Sequence, residues 1–330
     1  MNVIDNEGVA CVAQPRCVRC GANGRLIHAN LRDHLHGAPG LWNTMRCLKP
    51  DCGLAWLDPQ PLPAERAKLH YPHDEQDEIA AGASSMAPDR ARYVSKGFVA
   101  VAKQALRRLV WWRRFWFDTD YVYLGSGTPG RLLDVECGPG DYLRVAKAVG
   151  WEPVGLDSDA HQVAQLRESG IEAHHGDLLS AEFPDASFDA VTFRNVLESQ
   201  TDPIAVFAEC HRILKPGGRM VVMTPNIEAY CHYIYGDDWR GLDAPRNRYL
   251  FSAAILRRFA KKAGFGHTEA FSQFRNERGV RFMAEESELI ASRAGREHWE
   301  PSLGDLGRKA AIRAWLGIAR GEWVHLVAEK

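Results

Sequence analysis

The segment LLDVECGPGDYL, at residues 132–143, places acidic side chains around a glycine-rich turn. An apolar run ends in Asp134, the turn contains Gly138 and Gly140, and a helical pattern follows. Such a turn at the start of a helix brings backbone N–H groups close to a bound cofactor. Leu143 replaces the third glycine of a dinucleotide-binding turn, and the lysine and hydroxyl residue of a phosphate-binding loop are absent. The turn therefore favours a cofactor without a pyrophosphate group.

Two further acids follow the turn at positions that suit a nucleoside. Asp157 ends the next apolar run, 17 residues after Gly140, where a carboxylate can accept hydrogen bonds from both ribose hydroxyls. Asp177 follows the third run and is a candidate acceptor for the exocyclic amine of adenine. Asp134, at the start of the turn, is placed to bind the positively charged amino group of a methionine part of the cofactor. These positions fit S-adenosylmethionine, in which a sulfonium joins adenosine to an amino acid.

Short apolar runs alternate with helical patterns through residues 126–278. The runs are RLLDV, PVGLD, IEAHH, FDAVTF and GRMVVMT, with helical stretches such as YLRVAKAVG between them. Strands separated by helices form βαβ units and a parallel sheet, and nearly continuous apolar runs indicate strands that are covered on both faces. The pattern predicts a doubly wound α/β fold with ligands at the carboxyl ends of its strands.

Four segments carry a family resemblance, namely LLDVECGPG, PVGLDSD, GDLLSAEFPDASFDAVTFRNVLESQTDP and HRILKPGGRMVVMTPN. They resemble the successive motifs of class I S-adenosylmethionine-dependent methyltransferases, over residues 131–275. The resemblance implies a Rossmann-like, seven-stranded methyltransferase sheet whose last strand, here WVHLVAEK, is antiparallel. The candidate cofactor-binding residues are Asp134, Glu136, Gly138, Gly140, Asp157, Asp177, Leu178 and Asn195.

Two residues depart from the family pattern. Glu136 stands where the turn usually has its first glycine, and relatives tolerate alanine there, which predicts a negative φ. Its carboxylate either adds to the binding of the methionine amine or points to solvent and weakens binding slightly. Ser199 stands where many relatives have histidine, so a role of that imidazole does not carry over to this chain.

Five of the eight cysteines lie in the first sixth of the chain, and four of them form the pairs CVRCG and CLKPDCG. Each pair ends in Cys-Gly, which permits a tight turn around a metal ion. Four thiolates form a closed tetrahedral site, which is typical of structural zinc. The candidate ligands are Cys17, Cys20, Cys47 and Cys52, with His28, His34 or His36 as replacements for one of them. The alternative is a set of reduced, buried thiols that pack as small hydrophobic groups.

The cysteine-rich segment and the following DPQPLPAERAKLHYP resemble a group of methyltransferases with an N-terminal zinc ribbon. That resemblance implies an acceptor such as a sugar, a polysaccharide or a secondary metabolite. Some ribosomal RNA methyltransferases also carry a zinc ribbon, but here 41 basic and 42 acidic residues give a net charge of −1. A near-neutral chain has no overall electrostatic attraction to nucleic acid.

The sequence predicts three parts: a zinc-ribbon-like domain at 1–60, a helical connector or lid at 61–125, and a methyltransferase domain at 126–330. The last part includes a helical insertion at 279–320. The chain has no signal-peptide pattern and no apolar run of about 18 residues, which predicts a soluble, cytoplasmic protein.

The connector contains a basic, aromatic segment within 90–117. Residues 90–114 include eight Arg or Lys and no acid, and helical spacing separates an aromatic face from a basic one. This helix either contacts an anionic membrane surface, covers the acceptor as a lid, or buries its aromatic side on the domain.

The acceptor must be held in line with the transferred methyl group, and a hydroxyl acceptor also needs a base. Candidate residues follow the fourth and fifth apolar runs, at Arg194, Asn195 and 224–226. The segment 227–252 is rich in aromatic and polar residues, which suits a sugar-like or polyketide-like acceptor.

Within that segment, His232 is the leading candidate for the base, with Asp238 and Asp237 behind it. The alternative for His232 is a solvated surface histidine. The run around Arg246 resembles a proline–arginine–histidine motif of relatives, in which Arg246 would bind an anionic or carbonyl group of the acceptor. Asn247 takes the place of the motif's histidine, so a base role at that position does not carry over.

Three hypotheses follow. The first is a methyltransferase that acts on a small molecule or a glycan. The second is an RNA or protein methyltransferase that docks through the zinc ribbon. The third is a binding module or a degenerate relative, which Glu136 and Ser199 motivate.

Overall fold

The computed structural model describes residues 3–69, 128–273, 277–297 and 321–330. They fall into two compact units. The first unit comprises 3–69, 195–207, 223–273, 277–297 and 321–327, and the second unit comprises 128–194, 208–222 and 328–330. The basic aromatic segment lies outside the described residues, as does most of the predicted connector. The predicted domain limits therefore stay predictions.

Strands and helices alternate through much of the described chain. The strands are β1 (Val3–Asp5), β2 (Ala10–Val12), β3 (Gly24–Leu31), β4 (Trp42–Cys47), β5 (Ala55–Asp58), β6 (Gln60–Pro61), β7 (Arg131–Val135), β8 (Glu152–Asp157), β9 (Glu172–His175), β10 (Phe188–Arg194), β11 (Leu214–Pro225), β12 (Tyr249–Leu250), β13 (His267–Gln273) and β14 (Trp323–Glu329). The helices are α1 (Arg66–Leu69), α2 (Asp141–Ala148), α3 (Ala160–Glu168), α4 (Pro203–Ile213), α5 (Tyr230–Tyr235), α6 (Ala253–Lys262) and α7 (Glu277–Arg293). None of these helices has the length and apolar composition needed to cross a membrane.

The core of the second unit is a set of parallel strands. β7 pairs with β8 and β10 in parallel, so that Leu133 lies opposite both Val154 and Val191. Successive residues of a strand point to opposite faces, and both Leu132 and Leu133 are fully buried, so β7 is covered on both faces. Helices α2 and α3 connect β7 to β8 and β8 to β9. Parallel pairing brings the carboxyl ends of these strands to one edge, where the candidate acids lie.

The seven-stranded sheet has the order β9-β8-β7-β10-β11-β14-β13. The backbone N–H of Gly217 donates to the carbonyl of Lys330, and the N–H of Asn226 donates to the carbonyl of Glu322. The start of β11 therefore meets the end of β14, so these two strands are antiparallel. The predicted doubly wound, seven-stranded sheet is confirmed, with WVHLVAEK as its antiparallel strand.

A second sheet, with the order β12-β5-β4-β3, carries the cysteine-rich segment. Its edge strand β12 comes from far along the chain and pairs antiparallel with β5, with Tyr249 opposite Trp56. The core beneath includes Trp42 of β4 together with Trp239 and Met283. The cysteine-rich segment of the first unit therefore shares one hydrophobic core with residues from much later in the sequence.

His325, in β14, is a buried histidine whose removal should stabilise the protein. Its ring stacks on Phe271 with centroids 5.5 Å apart, and its Nδ1 has no hydrogen-bond partner among the described residues. Burial lowers the pKa of His325 to about 4. Because the unfolded chain binds the proton more readily, this group costs stability as pH falls from about 6.5 towards 4, amounting to about 2 kcal/mol at pH 5.

We therefore expect His325→Phe to raise Tm at pH 5 and to flatten the loss of stability between pH 7 and pH 5. Thermal unfolding at both pH values measures the effect. The matched control is His161→Gln, which changes an exposed histidine and should leave the pH dependence intact. An unchanged pH dependence in the His325 variant would contradict the prediction.

Candidate cofactor site and metal centre

The glycine turn after β7 leaves an open cradle. Gly138 has a φ of 54° and Gly140 a φ of 80°, both in the left-handed region that favours glycine. Among the described residues, a Cβ on Gly138 would meet no atom within 4 Å, whereas a Cβ on Gly140 would collide with the side chain of Leu166. The space beside Gly138 can therefore receive a ligand, while packing against α3 requires a glycine at position 140.

Asp157, at the end of β8, holds this turn in place. Its carboxylate accepts hydrogen bonds from the backbone N–H groups of Gly138 and Asp159, each over 2.8 Å. Burial, followed by repulsion from Glu136, raises the pKa of Asp157 to about 6. A buried carboxylate of this kind is stabilised by a ligand that donates hydrogen bonds, as ribose hydroxyls do.

Asp134 is a second buried carboxylate of the second unit, one residue before the end of β7. The hydroxyl of Thr192 donates to Oδ1 of Asp134 over 2.6 Å. Burial raises the pKa of Asp134 to about 6, and the positive charge of Arg194 opposes that shift. A cationic group is the natural partner of this carboxylate, because an opposite charge favours the ionised form.

Glu136 adopts a φ of 53°, so the predicted negative φ is wrong. A left-handed conformation costs a residue with a Cβ about 1 kcal/mol. The hydroxyl of Ser158 donates to Oε2 of Glu136 over 2.9 Å, which holds the half-buried side chain against the loop after β8. The turn is therefore fixed by contacts with residues about 20 positions away, which a family preference for small residues does not reveal. A role of Glu136 in cofactor binding stays a prediction.

Three further cofactor candidates have different surroundings. Asp177 is exposed, and its Oδ1 accepts hydrogen bonds from the backbone N–H groups of Leu179 and Ser180, over 3.0 and 3.1 Å. Leu178 beside it is buried. Asn195 belongs to the first unit, where its Oδ1 accepts a hydrogen bond from Nε1 of Trp323 over 3.1 Å. The second unit thus contains every cofactor candidate except Asn195.

Known proteins share this arrangement of motifs. A family model described as a methyltransferase domain matches residues 111–270. A ubiquinone biosynthesis O-methyltransferase from Thiobacillus denitrificans is 33% identical over 163 residues, which cover 45% of this chain and 68% of the relative. The chain belongs to the class I S-adenosylmethionine-dependent methyltransferases.

Other known proteins are also similar to this chain. A probable S-adenosylmethionine-dependent methyltransferase from Mycolicibacterium smegmatis is 32% identical over 161 residues, which cover 47% of this chain and 59% of the relative. The chain spans only 31% and 48% of the length of two further curated relatives. A solved structure from Thermotoga maritima, described as a possible histamine N-methyltransferase, is 19% identical and has a TM-score of 0.44, with 70% of this chain and 95% of that chain covered.

The four predicted cysteine ligands come together in the first unit. Their sulfur atoms all lie within 4.8 Å of one another. The sulfur atoms of Cys20 and Cys47 are 3.5 Å apart, and those of Cys17 and Cys52 are 3.6 Å apart. A tetrahedral zinc ion with Zn–S bonds of about 2.3 Å places its sulfurs about 3.8 Å apart. The donor set therefore fits zinc, and no histidine of the described residues belongs to the group.

The candidate base His232 lies in a chain of hydrogen bonds within the first unit. Its Nδ1 is 2.6 Å from the carbonyl of Ile227, and its Nε2 is 2.9 Å from Nε2 of His28. Nδ1 of His28 is 2.6 Å from Oδ1 of Asp237. The ring of His232 also stacks on Trp239, with centroids 4.6 Å apart. The alternative of a solvated surface histidine is therefore wrong.

The proton positions of this chain follow from its acceptors. The Ile227 carbonyl can only accept, so Nδ1 of His232 carries the hydrogen, and Nε2 of His232 is the basic nitrogen. Nε2 of His28 must then donate to it. Burial is the main reason that the pKa of His232 is lowered to about 4, so His232 is neutral at pH 7.

The other two catalytic candidates are held by ion pairs. Asp238 is buried and pairs with Arg296. Arg246 lies 2.8 Å from carboxylate oxygens of both Asp33 and Asp243. These pairs fix the segment that follows α5, and a direct role of either residue in catalysis stays a prediction.

Two contacts could not be found by reading the sequence. His28 is predicted only as a spare metal ligand, yet it contacts a histidine 204 positions away. Tyr142, in the first turn of α2, lies under the guanidinium of Arg194. Neither contact has a local sequence signal, because both join residues from separate elements.

Proposed function

We propose that this protein transfers a methyl group from S-adenosylmethionine to a small molecule or a glycan, such as a sugar, a polysaccharide or a secondary metabolite. The observation that carries the proposal is the open cradle beside Gly138, whose N–H is bound by the buried carboxylate of Asp157. When bound, S-adenosylmethionine supplies a methyl group that is attached to a sulfonium. A nucleophile can attack the methyl carbon and displace the sulfur.

In this proposal the residues of the second unit hold the cofactor by its polar ends. Asp157 accepts hydrogen bonds from the ribose hydroxyls, and Asp134 receives the amino group of the methionine part. Asp177 accepts a hydrogen bond from the adenine amine while Leu178 packs against the ring. Gly138 allows the ligand to approach the backbone because no side chain fills the cradle.

The class of acceptor is inferred from relatives and from charge. Curated relatives include ubiquinone biosynthesis O-methyltransferases and demethylmenaquinone methyltransferases, whose names point to small-molecule acceptors. The net charge of −1 gives no general attraction to a polyanion. Both observations support a small neutral acceptor over RNA.

His232 is the proposed base for a hydroxyl acceptor. Its Nε2 is unprotonated, so it can receive the hydroxyl proton as the oxygen attacks the methyl carbon. His28 donates to the same nitrogen, and an acceptor hydroxyl would have to replace that hydrogen bond. A pKa of about 4 keeps the ring neutral and makes it a weak base, which matches a reaction driven mainly by positioning.

We also propose that Cys17, Cys20, Cys47 and Cys52 bind a structural zinc ion. Four protein ligands leave no open coordination position, so the ion would stabilise the fold without taking part in methyl transfer.

Two measurements test the function. Calorimetry with S-adenosylmethionine and with S-adenosylhomocysteine should give heat of binding, and a labelled methyl donor incubated with fractionated extract should label a small molecule or glycan. Label in RNA or protein, with retention on RNA that falls steeply with salt, would favour the ribbon-docking alternative. No heat with either compound would reject the proposed function and leave a degenerate relative.

A further inference from the structure

Arg194 and Tyr142 form a pair at the edge of the second unit that carries the glycine turn. Arg194 is the last residue of β10, and its guanidinium lies over the ring of Tyr142, 4.7 Å from the ring centroid. Tyr142 is 4% exposed and belongs to the first turn of α2, directly after the glycine turn. A guanidinium stacked on an aromatic ring keeps its in-plane N–H groups available for a ligand.

Within the described residues, the geometry gives neither polar group of this pair a hydrogen-bond partner. The Tyr142 hydroxyl is buried, yet it has no hydrogen-bond partner among the described residues. Within the same described part of the chain, Arg194 makes no hydrogen bond and no ion pair within 4.0 Å. Buried polar groups are nearly always hydrogen-bonded in native proteins. An unpaired hydroxyl beside an unpaired cation therefore points to a ligand that supplies an anionic acceptor.

The second charge of the site identifies that ligand more closely. Asp134 is near enough for Arg194 to oppose the rise in its pKa, although the two side chains form no ion pair. Asp134 itself is held by the Thr192 hydroxyl. A buried carboxylate and a cation of the same site that form no ion pair with each other complement a group that carries both a positive and a negative charge. The α-amino acid end of S-adenosylmethionine is such a group.

We infer that Arg194 and Tyr142 bind the α-carboxylate of the cofactor, with Arg194 donating through its fork and Tyr142 through its hydroxyl, while Asp134 takes the α-ammonium. This inference rests on the proposed function. It makes the two residues determinants of cofactor specificity, because a nucleoside that lacks the carboxylate would leave both donors unpaired. Arg194 would then be assigned to the cofactor and not to the acceptor.

Calorimetry with paired ligands tests the inference. The wild-type protein should bind S-adenosylmethionine about 30-fold more tightly than decarboxylated S-adenosylmethionine, since a hydrogen-bonded charge pair contributes roughly that much. Arg194→Met should lose this preference, binding S-adenosylmethionine about 30-fold more weakly and the decarboxylated compound as the wild type does. Tyr142→Phe keeps the stacking ring and should lose about 5-fold of the preference.

The matched control is Arg144→Met, which removes an exposed arginine of α2 that pairs with Asp141. It should leave both affinities unchanged. Arg194→Lys is a second variant, which keeps the positive charge but loses the paired N–H groups of the guanidinium. Thermal unfolding of each variant checks that the fold is retained.

The outcomes are separable. Equal ligand preference in Arg194→Met and the wild type would overturn the inference while leaving the proposed function intact. A lower kcat/KM for the acceptor with an unchanged cofactor Kd would assign Arg194 to the acceptor and would also overturn it. If the wild type bound neither S-adenosylmethionine nor S-adenosylhomocysteine, the proposed function and the inference would fail together.

Discussion

Cys52→Ser is expected to abolish zinc binding and to unfold the sheet that carries the cysteines. Zinc binding to four-ligand structural sites contributes about 10 kcal/mol or more of folding free energy. Here β4 and β5 enter the same hydrophobic core as Trp239 and Met283, so the loss should spread through the first unit. Atomic emission should give one zinc per wild-type chain, and urea unfolding followed by tryptophan fluorescence should show a large drop in midpoint.

Cys11→Ser is the matched control for that experiment. Cys11 is also buried in the first unit, but it does not belong to the four-sulfur group. The variant should therefore keep its zinc and most of its stability. Equal zinc content in the two serine variants would refute the metal site. A wild type that contains no zinc, and whose stability a chelator does not change, would refute it as well.

Asp157→Asn should weaken binding of S-adenosylmethionine by about 100-fold, because charge-assisted hydrogen bonds to two ribose hydroxyls are lost or weakened. The same change also removes an acceptor from the N–H of Gly138 or Asp159, so the turn should loosen in the free protein. Calorimetry measures the first effect and thermal unfolding the second.

In the wild type, binding should also weaken as pH falls through about 6, because protonation of Asp134 and Asp157, whose pKa values are raised to about 6, removes their negative charges.

Glu172→Gln provides the comparison, since it removes one exposed carboxylate of the same unit from the surface pair with Arg131. It should leave cofactor affinity and its pH dependence unchanged. Similar affinities for the Asp157 and Glu172 variants would show that the end of β8 does not contact the cofactor.

The arrangement of the glycine turn and the candidate acids in the second unit is largely predictable because its signals are local. The β7 run, its glycine turn and α2 are contiguous, and Asp157 follows at a distance set by one helix and one strand. The number of strands and the antiparallel last strand follow from the family resemblance, whereas the strand order is known only from the structure. The conformation of Glu136 escapes prediction because its backbone is set by neighbours on the next loop.

The arrangement of the candidate acceptor residues is much less predictable. The segment after β11 owes its shape to distant partners, such as His28 for His232 and Asp33 for Arg246. A sequence reveals residue types at such positions but not their pairing, because no periodicity links positions about 200 residues apart. Asp238, a predicted catalytic acid, is held in the same way by Arg296.

The pairing of β12 with β5 has a consequence for how such enzymes diversify. The cysteine-rich segment is not a detachable module, since one edge of its sheet is supplied by Tyr249 and Leu250. A chimera that joined this segment from one relative to the remainder of another would pair β5 and β12 from two different sequences and would mismatch the side chains at the Trp56–Tyr249 position. Recombination that exchanges the cysteine-rich segment between relatives therefore has to move both stretches as a single inherited block.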